Sequence, residues 1–159
     1  MQFREMRRKN QEIPESECRE ILQSEKRGIF AVHGDFGYPY AVPVNFYYDP
    51  AEHAIYLHSA KAGHKLDAVR ENPKVCFTVL EQGVKMPGDW AYYVRSVIIF
   101  GKIEMLSDPE LIREKVKLLG LKYYPTEQDV DRTMQKHLPN LELLAIRIES
   151  MTGKLVHEK

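Results

Sequence analysis

The segment YLHSAKAGHKLDAVRENPKVCF, residues 56–77, begins and ends with apolar stretches typical of β-strands and encloses a short helix. This helix is predicted over about residues 63–71, because it stops before Asn72-Pro73 and a residue that precedes proline disfavours helical backbone. A group of polar and small residues stands where the helix begins: Ser59, Lys61, Gly63, His64 and Lys65. A simple connection between strands does not need this group, so the segment is a candidate binding site.

The rest of the chain predicts strands joined mostly by hairpins. Two glycines in the turn at 34–37 favour a hairpin. Strands are predicted over residues 28–33, 38–48, 54–60, 74–81, 93–106 and 141–150. Further helices are predicted after Pro14, with Cys18, Ile21 and Leu22 on the apolar side, after Ser107, and near 127–137, where Thr126 is the cap. Strands linked by hairpins pair antiparallel, so the expected fold class is mainly β (α+β), a six-stranded antiparallel barrel with peripheral helices. A doubly wound parallel sheet would need a helix after nearly every strand.

Four features carry predictions about local geometry. Pro39 and Pro43 remove hydrogen-bond donors, so their strand should be bulged or locally unpaired. Gly101 should mark a bend or bulge in the long strand, and Gly28 should end the first helix. Residues 151–159 are predicted to form a tail beyond the last strand.

Composition limits the possible functions. The 159 residues, 43% of them hydrophobic, fit a single soluble domain over residues 1–159. Lys plus Arg and Asp plus Glu both number 23, which gives no charge excess for nucleic acid or an acidic membrane. The N-terminal stretch MQFREMRRKNQEIPE lacks the apolar core of a signal peptide, and no apolar run could span a bilayer. A cytoplasmic protein without a membrane or nucleic-acid partner is therefore predicted.

The helix start at 63 has the chemistry of a phosphate site. The first turn of a helix exposes backbone N–H groups, glycine allows close approach, and Lys65 and Ser59 add a positive charge and a donor. In the alternative interpretation Ser59 only caps the helix and Lys65 is solvated. His53, His58 and His64 lack an acidic or cysteine partner at a standard zinc spacing, so no metal site is predicted.

The segment VPVN, residues 42–45, is a second candidate. Pro43 interrupts the hydrogen-bond ladder and frees neighbouring backbone groups, while the Asn45 amide can both donate and accept. A flavin requires such a wall, with apolar contact for its rings and hydrogen bonds for its pyrimidine edge.

Four segments stand in the order found in one protein family: MRRK at 6–9, GYPYAVPVNFYYD at 37–49, HSAKAGHKLDAVRENPKVCF at 58–77 and SVIIFGKIE at 96–104. They resemble the nitroimidazole-resistance proteins within the pyridoxamine 5'-phosphate oxidase-like superfamily, which are flavin-binding split barrels. The likeness runs from residue 6 to about 153, and HSAKAGHK is its most specific part.

The resemblance implies a split β-barrel homodimer with FMN at the subunit interface. Carried over, Val42, Pro43, Val44 and Asn45 would line the isoalloxazine. The ribityl phosphate would be surrounded by His58, Ser59, Ala60, Gly63 and Lys65, with Arg95 and Ser96 contacting the cofactor from a neighbouring strand. His64 would be the catalytic residue on the substrate side. The C-terminal tryptophan-arginine segment of the true pyridoxamine phosphate oxidases is missing, so vitamin B6 oxidation is not expected.

The leading functional expectation is an FMN-dependent oxidoreductase that reduces a small planar acceptor such as a nitroaromatic. Two alternatives stay open at this point. One is a flavin-binding sensor or carrier without turnover, and the other is a haem-binding split barrel with a histidine ligand.

Overall fold

The computed structural model describes residues 2–159, which fold into a mainly β structure with four helices. The elements, in chain order, are β1 (Glu12–Ile13), α1 (Glu15–Ser24), β2 (Arg27–His33), β3 (Pro39–Asn45), β4 (Tyr47–Asp49), β5 (Ala54–Ala60), α2 (His64–Glu71), β6 (Lys74–Leu80), β7 (Val84–Lys85), β8 (Tyr92–Met105), α3 (Pro109–Tyr123), α4 (Glu127–His137) and β9 (Leu141–His157). Within residues 2–159, no helix is both long and apolar enough to cross a membrane.

All strands belong to one antiparallel sheet with the order β3-β2-β6-β8-β9-β5-β4, to which β1 adds beside β9 and β7 beside β8. The six predicted strands correspond to the six long ones: β2, β3, β5, β6, β8 and β9. The strand predicted over residues 38–48 is divided at Phe46 into β3 and β4. The strands that the sequence did not predict, β1 and β7, have only two residues each. Such short strands are too brief to show alternation of apolar and polar side chains.

Phe46 joins the two ends of this sheet. β3 and β4 are the outermost strands of the order, yet they are consecutive in the chain with only Phe46 between them. β3 pairs with β2 and β4 pairs with β5, at opposite edges of the sheet. Because a single residue separates β3 from β4, the two edges must lie close together, and the sheet must curl. The result is the half-barrel expected of a split β-barrel, and Phe46 is completely buried in it.

β5 separates two hydrophobic cores. Ile55 and Leu57 face the barrel interior, where the largest cluster of buried side chains lies. Ala54 and Tyr56 face the opposite way and pack in a smaller cluster with residues of α3 and β9. The helices α3 and α4 cover this second cluster.

Several local predictions are confirmed. The register of β8 against β9 shifts between Phe100 and Gly101, which is the bulge predicted at Gly101. α4 begins after Thr126, whose hydroxyl accepts a hydrogen bond from the Asp129 amide at 3.2 Å, as its N-cap role requires. α1 buries its predicted apolar residues, Cys18, Ile21 and Leu22.

Three local predictions are wrong. Pro39 and Pro43 lie in β3 without a bulge, because β3 pairs with β2 in continuous register at one edge of the sheet. A proline is tolerated in an edge strand when its nitrogen faces away from the neighbouring strand. Gly28 does not end α1 but lies inside β2. A glycine is needed there because a side chain would overlap the Phe77 ring.

The third wrong prediction is the C-terminal tail. β9 continues to His157 and pairs with β8 over most of its length. Gly153 permits this, because a side chain at that position would overlap the sulfur of Cys18 on α1. The extended strand therefore runs beneath the first helix.

Candidate functional site

The end of β3, the end of β5 and the start of α2 meet at one surface cleft. It has a volume of about 420 Å³. Its lining residues are Arg27, Pro43, Val44, Asn45, His58 and Lys65. The fold thus brings the proline-containing segment of β3 together with the polar segment around the start of α2, although the two are separate in sequence.

The charges that line this cleft, which we call the basic cleft, are positive. Arg27 and Lys65 both contribute, and no acidic residue of the described chain takes part in the lining. Burial lowers the pKa of Lys65. Burial, together with the nearby charge of Lys65, also lowers the pKa of His58. An anion in the basic cleft would oppose these shifts, because a nearby negative charge favours the protonated forms of both side chains.

The start of α2 is open to a ligand. Gly63 is the N-cap, with φ 136° and ψ 164°, and it makes no side-chain capping hydrogen bond. A Cβ at Gly63 would have no heavy atom within 4 Å. The amides of Leu66 and Asp67 bond to the Gly63 carbonyl at 3.0 and 3.2 Å, whereas a helix leaves the amides before them without an intrahelical acceptor. The alternative in which Ser59 caps the helix is therefore wrong.

Among the predicted cofactor residues on β3 and β5, three do not line the cleft. Ser59 is only 5% exposed, because it shares the barrel-facing side of β5 with Ile55 and Leu57. Val42 is half-buried and packs against the barrel core. Ala60 is exposed at the end of β5. His58, on the other face of β5 from Ser59, is the residue of this strand that lines the basic cleft.

His64, the predicted catalytic residue, is the first residue of α2 and does not line the basic cleft. Its imidazole packs against the Tyr40 ring, with 4.3 Å between ring centroids. Its Nε2 lies 3.7 Å from the Asp35 carboxylate in the β2–β3 turn. The side chain remains 37% exposed, so a molecule that approaches this end of the barrel can reach it.

Arg95 and Ser96 lie on β8, away from the cleft. The Arg95 guanidinium binds Glu81 through two hydrogen bonds of 2.7 and 3.0 Å and also pairs with Glu17 at 3.1 Å. These carboxylates raise the Arg95 pKa further above its ordinary value. Ser96 pairs with Leu80 on β6 and with Lys154 on β9.

Arg27 is a cleft residue that sequence reasoning missed. It opens β2 directly opposite Asn45 of β3, so the hairpin register places the two side by side. The signal was available, because pairing the predicted strands through the 34–37 turn brings Arg27 to the end of the VPVN segment.

The family relationship follows from a match along most of the chain. A family model described as pyridoxamine 5'-phosphate oxidase matches residues 14–155. The chain belongs to the pyridoxamine 5'-phosphate oxidase family. The matched region includes every residue that lines the basic cleft. No curated protein matches the chain.

Solved structures share the fold of this family member. A candidate 5-nitroimidazole antibiotic resistance protein from Bacteroides thetaiotaomicron aligns with a TM-score of 0.75 and 23% identity, over 92% of this chain and 87% of the other. An FAD-binding protein from Mesorhizobium loti aligns with a TM-score of 0.66 and 23% identity, over 91% of this chain and 96% of the other. The flavocytochrome Anf3 from Azotobacter vinelandii aligns with a TM-score of 0.72 and 20% identity, over 90% of this chain and 67% of the other. At these identities the similarity establishes the fold.

This member of the pyridoxamine 5'-phosphate oxidase family leaves an apolar sheet face beside its cleft. Four large side chains there are 42–62% exposed: Ile29, Leu80, Ile98 and Phe100. We call this the outer sheet face. The register carries it across four strands, since Pro43 pairs with Ile29, Ile29 with Thr78, and Thr78 with Ile98. Pro43 thus belongs both to the edge of this face and to the basic cleft.

Proposed function

We propose that the protein binds FMN in the basic cleft, with the phosphate at Lys65 and the start of α2 and the isoalloxazine against Pro43, Val44 and Asn45. The observation that carries the proposal is the cleft itself. It joins two cationic side chains and an open helix start to an apolar wall that ends in an amide, without an acidic residue among the lining side chains of the described chain.

The chemistry of the donors fits a phosphate. Lys65 supplies a full charge, Arg27 can offer several N–H groups, and the first amides of α2 can donate to the same oxygens. Gly63 leaves room for close approach. Family membership and the FAD-binding protein of similar fold support a flavin as the occupant. The phosphate chemistry of the cleft favours a phosphorylated flavin over riboflavin, and FMN is the smallest flavin that carries a phosphate.

We further propose a homodimer in which the outer sheet faces of two copies meet. A contiguous apolar face on a soluble protein commonly marks an interaction surface. Because Pro43 lies at the edge of this face, a second copy would also cover the open side of the basic cleft. Ser96 shares its side of β8 with Ile98 and Phe100, so in this proposal it contacts the cofactor bound mainly by the other copy. Arg95 lies on the opposite side of β8, where Glu81 and Glu17 bind its guanidinium, so a contact with the cofactor would have to replace these carboxylates.

The proposed activity is reduction of a small planar acceptor, with a nitroaromatic as the acceptor class. The candidate 5-nitroimidazole resistance protein of similar fold supports this choice. Bound FMN would supply the redox chemistry. His64 would hold or release a proton at its exposed imidazole, oriented by the Tyr40 ring and the Asp35 carboxylate. Converting a nitro to a nitroso group consumes two electrons and two protons and releases water.

Calorimetric titration with FMN and with riboflavin tests the phosphate site. FMN should bind at least about tenfold more tightly, since charge-assisted hydrogen bonds to the phosphate are absent from riboflavin. Equal affinities would contradict a phosphate site at Lys65. The absorption spectrum of the purified protein distinguishes flavin from haem, because a Soret band would favour the haem alternative.

Turnover is tested separately. The FMN-loaded protein is reduced with dithionite and mixed with a nitroaromatic under anaerobic conditions, and flavin reoxidation is followed by absorbance. Reoxidation much faster than that of free reduced FMN would support an oxidoreductase. A rate no greater than that of free FMN would favour a flavin-binding protein without turnover.

A further inference from the structure

A second cavity lies on the helix side of His58. α3 and α4 cover the face of β5 that carries Ala54 and Tyr56, and both side chains are completely buried. His58 is the next residue on this face of β5, and it lines a cavity of about 200 Å³ beneath the helices. We call it the helix cavity. His58 therefore lines two spaces, the basic cleft and the helix cavity.

The lining of the helix cavity is mainly apolar. The apolar side chains are Val116, Leu119, Val130, Met134, Leu138 and Leu141. The polar side chains of the lining are His58, Tyr124, Thr133 and His137. This lining suits an occupant that is mainly apolar and carries a hydrogen-bonding group.

The helices beside the cavity are in close contact. Gly120 on α3 faces Val130 on α4, and a Cβ at Gly120 would stand 2.7 Å from a Val130 methyl group. Loose packing of α3 on α4 would separate the helices along their length, whereas here a tight contact adjoins an open volume. The cavity is therefore a preformed feature of the helix layer.

Size and lining together define a ligand class. An apolar cavity of about 150 Å³ can take up benzene, so about 200 Å³ suits one six-membered ring with a small substituent. We propose that the helix cavity binds a compact, neutral aromatic molecule with one hydrogen-bonding group, such as a phenol, whose polar group reaches His58. Partial burial and Lys65 lower the pKa of His58, so its imidazole can be neutral at pH 7 and can face such a molecule without a buried charge.

Because His58 also lines the basic cleft, a ligand in the helix cavity would fix the imidazole that an anion in the cleft contacts. A ligand in the helix cavity should then change the affinity of the basic cleft for an anion, and by thermodynamic linkage the anion should change the affinity of the helix cavity by the same factor. Binding in the helix cavity itself does not depend on the proposed FMN function, so either idea can fail alone.

The test is a titration of protein labelled with 13C at Met, Leu and Val methyl groups, using p-cresol as the probe. Met134 and Leu119 methyl signals should shift saturably, with a Kd of about 0.1–1 mM for a ligand of this size. The exposed Met86 serves as an internal control and should not shift. Absence of saturable shifts at Met134 up to the solubility of p-cresol would overturn the proposal.

Filling the cavity provides the matched variants. Val116→Phe should weaken p-cresol binding about tenfold or more, because the added ring occupies the space. Leu121→Phe, an exposed site on the same helix, should leave the affinity unchanged. If Val116→Phe does not fold, Met134→Phe tests the same space with Leu119 and Val130 as reporters. Unchanged affinity in a folded, filled variant would overturn the proposal.

Discussion

The hydroxyl of Tyr123, at the end of α3, accepts a hydrogen bond from the backbone N–H of Phe46 at 2.8 Å. The same hydroxyl lies 2.8 Å from the Phe46 carbonyl and 2.6 Å from that of Lys26 and can donate to either. Phe46 is where the chain passes from β3 to β4 and so leaves one neighbouring strand for another. Its backbone groups lose their ladder partners there, and α3 supplies replacements. The helix layer thus secures the point at which the sheet curls.

Replacing Tyr123 tests this role. Tyr123→Phe keeps the ring but leaves the buried Phe46 amide without its acceptor, which should lower the free energy of unfolding by about 1–3 kcal/mol. Urea denaturation followed by circular dichroism measures the loss. Tyr124→Phe is the control, since Tyr124 is exposed, and it should change stability by less than about 0.5 kcal/mol. Equal stability of the two variants would show that Phe46 does not depend on Tyr123.

Lys115 holds α3 to the β4–β5 turn through a buried ion pair. Its Nζ lies 2.8 Å from carboxylate oxygens of both Asp49 and Glu52. Lys115→Met would leave the Asp49 carboxylate, which is only 7% exposed, without its positive partner. This substitution should lower the free energy of unfolding by about 3–5 kcal/mol.

Chemical denaturation of paired variants checks the origin of that cost. Adding Asp49→Asn to Lys115→Met should recover part of the loss, because the uncompensated charge is removed. Lys117→Met, which breaks more exposed ion pairs with Glu127 and Asp131, should cost no more than about 1 kcal/mol. A double variant no more stable than Lys115→Met would argue against a buried-charge penalty.

Lys122 should make stability depend on pH in the alkaline range. Its Nζ lies over the Phe46 ring and donates to the Phe46 carbonyl at 3.1 Å. Burial, helped by the nearby charge of Lys26, lowers the Lys122 pKa to about 8. The unfolded chain, with an ordinary lysine pKa near 10.4, binds more protons between these values, so the folded state gains stability as pH rises through this window.

The difference between wild type and Lys122→Met isolates this contribution. From about pH 7.5 to about pH 10.5 the wild type should gain about 1 kcal/mol relative to the variant, a value reduced for the partial solvent exposure of the amine. Urea denaturation at several pH values measures it. A constant difference across this range would mean that the Lys122 pKa is not lowered in the folded protein.

Features set by one or two neighbouring residues could be predicted from the sequence, and features set by distant partners could not. The Thr126 cap is local and is confirmed. The bulge at Gly101 is also confirmed, although it depends on β9, because a glycine inside a strand pattern is itself a signal of a bulge. The position of Gly28 depends on Phe77 in another strand, which composition and periodicity do not reveal.

Ser59 shows a different kind of error. The alternation along its strand already placed Ser59 beside Ile55 and Leu57, which implies a buried position, and the phosphate hypothesis overlooked this implication. The same alternation puts His58 on the opposite face of β5, where it lines the basic cleft.

The outer sheet face allows a direct test of the proposed homodimer. Ile98 is 42% exposed at the centre of this face. A charged side chain at this position would be costly to bury in a dimer interface. Ile98→Lys should shift the mass measured by light scattering at micromolar concentration from dimer to monomer. Leu121→Lys, at a similarly exposed leucine on α3, should leave the mass unchanged. A monomeric wild type with FMN bound would contradict the dimer.

The last prediction assigns different roles to two adjacent residues at the start of α2. Lys65 lines the basic cleft and should serve binding, so Lys65→Ala should weaken FMN affinity about tenfold or more. Lys61→Ala is the matched control, since Lys61 is exposed nearby and does not line the cleft, and it should change FMN affinity less than about threefold.

His64 lies outside the cleft against Tyr40 and Asp35, so His64→Ala should keep most FMN affinity and slow reoxidation of the reduced flavin by a nitroaromatic about 100-fold or more. Calorimetry gives the affinities, and single-turnover absorbance gives the reoxidation rates for all three variants. If His64→Ala loses FMN as severely as Lys65→Ala, His64 binds the cofactor and its catalytic assignment is wrong. If both reoxidation rate and affinity survive in His64→Ala, the residue is simply exposed to solvent, and the proton must come from another group.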